Sequence, residues 1–190
     1  WLENTGGYPF VEHTLAQSLP LIHQPEAAAA QKLGANTAVA VIDTGCDYAR
    51  TAFGSCSSPG AAGCKVAYAA DFATNDNAKD ENGHGTNVSA IVLGVAPSTK
   101  ILALDVFNGG SAPGSAILAA IDWTISNRAI YNIVAMNMSL GSGSFSSPCG
   151  SDYFATALAN ARSAGILAAV ASGNNGFTGS IASPACVPAA

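Results

Sequence analysis

Four stretches of the chain are apolar through their whole centre and run into turn-forming residues: "TAVAVIDTG" (37 to 45), "KILALDVF" (100 to 107), "NIVAMNMSLG" (132 to 141) and "GILAAVASGN" (165 to 174). A strand with one face in water alternates apolar and polar residues. These runs do not alternate, so both of their faces must be covered, which is the pattern of a parallel sheet between two helical layers.

Helical segments lie between the runs. "SAILAAIDWTISN" (115 to 127) puts Ile117, Ile121 and Ile125 on one face, and "SDYFATALANARSAG" (151 to 165) does the same with Phe154, Leu158 and Ala161. The second has Ser151 as its N-cap, Arg162 in its last turn and Gly165 just beyond its end. An earlier helix is expected over "PEAAAAQKLG" (25 to 34), with Pro25 at the first position and Gly34 as its stop. Alternating strands and helices predict an α/β fold, a doubly wound, mostly parallel sheet with helices on both faces. In such sheets chemistry gathers in the loops at the carboxyl ends of the strands, where Asp43, Ser139 and Asn174 fall. The chain reads as one domain preceded by an N-terminal arm over residues 1–17, where no period is visible.

The charge balance narrows the partners. Only 10% of the residues are charged, the net charge is −5 and no basic cluster occurs, so nucleic acid is excluded as a partner. No apolar run reaches the roughly 18 residues of a membrane span, and no signal peptide is visible.

Three residues carry candidate chemistry. Asp43 ends a buried strand and is followed by Thr-Gly; a carboxylate there can orient a histidine, although Asp-x-Gly is also ordinary turn chemistry. His84 sits in "NGHGT", where a loop enters a helix, and taken alone is a turn histidine. Asn174, in "ASGNNG", offers an amide to a developing oxyanion or simply makes a turn. His13 and His23 have no partner motif and read as structural or exposed.

The five cysteines form no C-x-x-C pair, and with three histidines far apart no metal site is expected. Cys56 and Cys64 flank the turn-rich "SSPGAAG", and Cys149 and Cys186 lie in two small-residue loops; these are the two expected disulfides, with Cys46 left as a free thiol. Five reduced, buried cysteines are the alternative.

The combination is more specific than its parts. "VAVIDTG", "NGHGTNVSAI", "MNMSLG" and "VASGNNG" occur in one order at the strand ends of one predicted sheet, with "GVAP" and "AIDW" between them. In this the chain resembles the subtilisin-like serine proteases, the subtilases, from about Ser18 to its last residue. The resemblance implies a secreted endopeptidase acting on extended polypeptides, with Asp43 as orienting acid, His84 as general base and Asn174 as oxyanion donor. It also implies a cleft with one wall at Ser139, Leu140 and Gly141 and the other at Gly110, Ser111 and Ala112, each pairing with substrate as an added strand. Residues 18–190 would then be a partial catalytic domain, and the preceding arm a propeptide remnant.

The departures matter as much. The family's nucleophile lies in a Gly-Thr-Ser motif downstream of the oxyanion asparagine, and this sequence contains no Gly-Thr-Ser. The expected serine therefore lies beyond this chain. Alternatives are a pseudoprotease that binds peptides without cutting them, or a shortened hydrolase using a surrogate serine such as Ser139. An exposed sheet edge is also expected, to be covered by the missing C-terminal segment, a propeptide or another copy of the chain. Asn87 stands where many members have a second histidine. No cofactor is expected. Calcium is compatible with the family, but Asp71, Asp76, Asp80 and Glu81 match no calcium-loop spacing, and read as a solvated acidic loop. Asp105 and Asp122 read as strand-end and helix-surface residues, and Trp123 as packing.

Overall fold

A computed structural model of the chain describes residues 15–190. The expected arm therefore lies almost wholly outside the described residues; only its last three begin a helix. In chain order the elements are α1 (Leu15–Leu21), α2 (Gln24–Ala29), β1 (Ala38–Asp43), β2 (Val66–Asp71), α3 (His84–Val95), β3 (Lys100–Asp105), α4 (Gly114–Ser126), α5 (Arg128–Tyr131), β4 (Ile133–Met138), β5 (Ser142–Phe145), α6 (Ala155–Ser163), β6 (Leu167–Val170) and β7 (Ile181–Ser183).

Five strands form one sheet in the order β2-β3-β1-β4-β6, every pair parallel. The four apolar runs are four of these strands, and the reason is visible in β1. Ala38, Ala40 and Ile42 face a core built with Ile117, Ile121, Met136 and Leu158, on the side of α4 and α6. Val39 and Val41 face a second core with Ile101, Ala103, Phe53 and Leu93, on the side of α3. Period-2 alternation is present in space, but both faces are dry, so it vanishes from the sequence. Burying each of Ile42, Leu104, Ile121 and Met136, none of them exposed, contributes about 1.5–3 kcal/mol.

The fifth strand, β2, was not expected. It is an edge strand whose residues after Val66 are only half-buried, so "VAYAAD" is short and weakly patterned. Its Tyr68 stacks on Trp123 with ring centroids 4.4 Å apart, which bears out the packing role of that tryptophan. The other sheet edge, β6, leaves Leu167 exposed.

Two helices start or stop elsewhere than their sequence signals suggest. α2 begins at Gln24 and ends at Ala29 rather than running to Gly34. Gly34 instead sits with φ +79° against Thr99, where an added Cβ would lie 3.0 Å from the threonine Cβ. α6 begins at Ala155, not after Ser151, because Asp152 captures the chain first: its side chain accepts a hydrogen bond from the Phe154 amide, and its carbonyl accepts one from Ala155. The Phe154, Leu158 and Ala161 face is buried as expected.

Both disulfides form as paired, Cys56–Cys64 and Cys149–Cys186, and Cys46 is free and buried. The second joins the segment after β5 to the segment after β7, and those two strands pair antiparallel in a small separate ribbon.

Candidate active site

The alternation in β1 decides where its last residue points. Asp43 shares a face with Val41, so its carboxylate is directed toward α3, whose first residue is His84. His84 Nδ1 and Asp43 Oδ1 lie 2.7 Å apart. The aspartate side chain is 1% exposed and the imidazole 27%, so the acid is sealed while the base keeps an open side. With Nδ1 donating to the carboxylate, Nε2 is the nitrogen left to accept a proton.

Glycine makes this approach feasible at two positions. Gly83, before the histidine, has φ +87°, a conformation that L side chains avoid. A Cβ on Gly85 would lie 2.2 Å from the Gly45 carbonyl oxygen and 3.2 Å from Asp43 Cβ, so any other residue would drive α3 away from β1.

Asp43 Oδ1 also accepts from the Thr44 amide at 2.8 Å, while Oδ2 is buried with no hydrogen-bond partner among the described residues. Burial pushes the Asp43 pKa up, opposed by the hydrogen bonds from His84 and Thr44, and the net direction is upward.

A second carboxylate, expected in a solvated loop, stands behind this pair. Asp80 is not part of a solvated acidic loop. Its Oδ1 accepts from Thr44 Oγ1 at 2.9 Å, from the Asn82 amide at 3.1 Å and from the Gly83 amide at 2.7 Å. Its Oδ2 accepts from the Thr86 amide at 2.8 Å and from the Thr86 hydroxyl. Burial alone would raise its pKa, but the hydrogen bonds from Thr86, Gly83 and Thr44 outweigh that and the net direction is downward. The available signal was the Asx-turn pattern of "DENG" opening a helix with threonine in its first turn.

Asp71, Asp105 and Asp43 end three neighbouring strands at one register level. Burial, followed by the like charges of Glu81, Asp71 and Asp76, pushes Asp105 up to about 7 despite its hydrogen bond from the Phe107 amide. Burial likewise pushes the Cys46 thiol up to about 12, so it stays protonated at neutral pH and is not a nucleophile.

The other expected site residues line the same edge of the sheet without hydrogen-bonding to the pair. Strand order sets their sequence in space: the loops after β3, β1, β4 and β6 are neighbours. Gly110 and Ser111 belong to a tight turn closed by a bridge between Asn108 and Ser111, with Ala112 following it. Ser139 follows β4 directly and its hydroxyl accepts from Asn137 Nδ2 at 2.9 Å. Leu140 is buried, and a Cβ on Gly141 would lie 2.9 Å from the Ser183 carbonyl oxygen. Asn174 lies in the loop after β6, where residues 171 to 179 are all exposed. His23 is exposed and contacts Glu26 at 3.3 Å, while His13 lies outside the described residues.

Comparison with known proteins gives the family and the fold. Residues 34–190 match the family described as "Subtilase family". The chain is 34% identical over 178 residues to Subtilisin DY of Bacillus licheniformis, covering 88% of this chain and 58% of that protein. It is 35% identical over 186 residues to Subtilisin E of Bacillus subtilis strain 168, covering 90% and 44%. Among solved structures it is similar to "S41 Psychrophilic Protease", with 29% identity, a TM-score of 0.60, and 80% of this chain and 50% of that one covered. A lanthipeptide protease with 18% identity and a TM-score of 0.62, covering 87% and 51%, shares the fold. The chain spans about half the length of the curated relatives it matches.

Proposed function

The chain belongs to the subtilase family, and on that premise we propose that it forms the acid–base part of a serine endopeptidase whose nucleophile lies in a segment outside this sequence. The observation that carries the reading is the 2.7 Å contact between the open His84 and the sealed Asp43. His84 Nε2 takes the proton of a serine hydroxyl as that oxygen attacks a peptide carbonyl, Asp43 stabilises the resulting imidazolium, and His84 then protonates the departing amine. The Asn174 side-chain amide donates to the oxyanion that develops on the carbonyl oxygen.

The substrate in this reading is an extended polypeptide laid between Gly110–Ser111–Ala112 and Ser139–Leu140–Gly141. Strand order supports that placement, because the loops after β3 and β4 flank the end of β1 where Asp43 sits. Pairing with both walls uses backbone hydrogen bonds, and the small residues on each side allow close approach. The two disulfides favour an oxidising, extracellular location. Among the described residues no helix is long and apolar enough to cross a membrane.

A fluorophosphonate probe followed by peptide mapping tests the nucleophile. The 190-residue chain should take up no label. A product of the same gene that includes an in-frame Gly-Thr-Ser downstream should be labelled at that serine, and its label should be lost in His84→Ala. Labelling of Ser139 in the 190-residue chain would establish a shortened hydrolase instead. No label in any product of the gene, with retained peptide binding, would leave a non-catalytic peptide-binding module.

A further inference from the structure

We propose that Asp80 is a positioning residue for the Asp43–His84 pair, an ionised clamp that locks the helix carrying the base onto the strand carrying the acid. The inference rests on the reading of that pair as acid and base, and goes beyond it to what keeps the pair in contact.

The two residues arrive from different elements. Asp43 is fixed by the ladder of β1, whereas His84 is the first residue of α3, the position in a helix most prone to fray. Nothing in the helix itself holds its first turn down: Gly83 provides no side-chain cap. Asp80 supplies what is missing. The amides of Asn82, Gly83 and Thr86 converge on its carboxylate, so it takes up free N–H groups on both sides of His84.

The same carboxylate reaches the other partner. Thr44, the residue after Asp43, donates its hydroxyl to Asp80 Oδ1 at 2.9 Å, and that hydroxyl accepts from the Gly85 amide, one residue past the histidine, at 2.9 Å. Thr86 closes a second bridge: its hydroxyl donates to Asp80 Oδ2 and accepts from the Asp47 amide at 2.8 Å. Residues 44 and 47 on one side, and 82, 83, 85 and 86 on the other, are thus joined through one side chain and two threonine hydroxyls. Hydrogen bonds to a charged acceptor are shorter and roughly twice as strong as neutral ones. An ionised Asp80 is required for all of them to be made together, since a protonated carboxyl has to donate its own proton elsewhere.

The hydrogen bonds of Asp80 go to Thr44, Asn82, Gly83 and Thr86 and none goes to the side chain of Asp43 or His84, so its effect must be read on the imidazole. The readout is the His84 Nδ1 proton, observed by proton and nitrogen NMR of the 190-residue chain. In the unmutated chain that proton should resonate far downfield and exchange slowly with water, and Asp43→Asn should remove it. Asp80→Ala should make its exchange faster by about tenfold or more, as expected for loss of charge-assisted bonds that close the first turn. Asp80→Asn keeps an acceptor oxygen but not the charge, and should give an intermediate rate with the amide spectrum of the sheet unchanged. If Asp80→Ala does not fold, the Asn variant decides alone. An exchange rate and chemical shift equal to those of the unmutated chain, in either folded variant, would overturn the role of Asp80 while leaving the pair intact. Absence of the downfield proton in the unmutated chain would overturn the acid–base reading itself.

Discussion

The two ends of the candidate site are built differently. At the Asp43–His84 end the functional side chains are held by other side chains: an aspartate sealed at the end of β1, a histidine pressed against it, and Asp80 with Thr44 and Thr86 behind. At the Asn174 end residues 171 to 179 are all exposed, and the loop is held through its backbone. Ala171 donates to the Met138 carbonyl at 3.1 Å, Ala182 donates to the Ser172 carbonyl at 2.8 Å, and the Cys149–Cys186 disulfide ties down the segment that follows β7. A proton relay needs fixed distances between buried partners, whereas an oxyanion donor must face the substrate. In the proposed roles, the network would serve the first need and the loop pinned at its ends the second.

The contrast predicts a hierarchy of effects. In the enzyme carrying its serine, His84→Ala should lower kcat on the order of 10⁴–10⁶-fold, measured on a peptide anilide; activity surviving that change would remove the acid–base assignment. Asn174→Ala should lower kcat by about 10²–10³-fold with KM little changed, since the amide acts on charge that develops only in the transition state. A change confined to KM would place Asn174 on the substrate rather than on the oxyanion.

Removing the disulfides should separate the two ends further. Loop-closure entropy assigns about 4 kcal/mol to Cys149–Cys186, whose cysteines are 37 residues apart, and about 2.5 kcal/mol to Cys56–Cys64, 8 residues apart. Urea unfolding of the paired serine variants measures both. The Cys149/Cys186 variant should also lose activity while the downfield His84 proton persists; loss of both together would mean that the ends are not independent.

Asp105 predicts a pH effect. Its folded pKa is raised to about 7, so between the unfolded carboxylate range and about 7 the folded chain holds a proton that the unfolded chain has released. Stability should therefore fall as pH rises from about 4 to about 7 on account of this group, and Asp105→Asn should flatten that slope in thermal unfolding. The smallest effect concerns Cys46: iodoacetamide should leave it unmodified in the native chain and alkylate it on unfolding, because the thiol is buried and stays protonated.

Much of this architecture was legible in the residues themselves. The four uninterrupted apolar runs became four of the five parallel strands; in β1 and β3 the alternation is lost because both faces of these central strands are buried, and the Ile117–Ile121 face of α4 was readable from its spacing alone. Both disulfide pairs were legible from their loops. The two misplaced boundaries have separate local causes: Asp152 turns the chain before α6 can begin at Ser151, and α2 ends at Ala29 just ahead of Gln31, whose φ of +59° is left-handed. β2 was not legible, since a half-buried edge strand has no strong pattern to show.

What the sequence determined unaided was the order of the chemistry: a carboxylate at the end of one buried strand, a histidine at the start of a helix, an asparagine after a later strand, and no Gly-Thr-Ser among its 190 residues. Residue types and strand ends are local properties, and they survive in the one-dimensional pattern. The tertiary structure decided which of these groups meet. It put Asp43 and His84, 41 residues apart, within 2.7 Å, and turned Asp80 from one acid among several into the acceptor that joins both. That outcome depends on the parity of β1, on two glycines that let the helix approach and on the convergence of three backbone segments, and none of these distances is encoded by any segment alone.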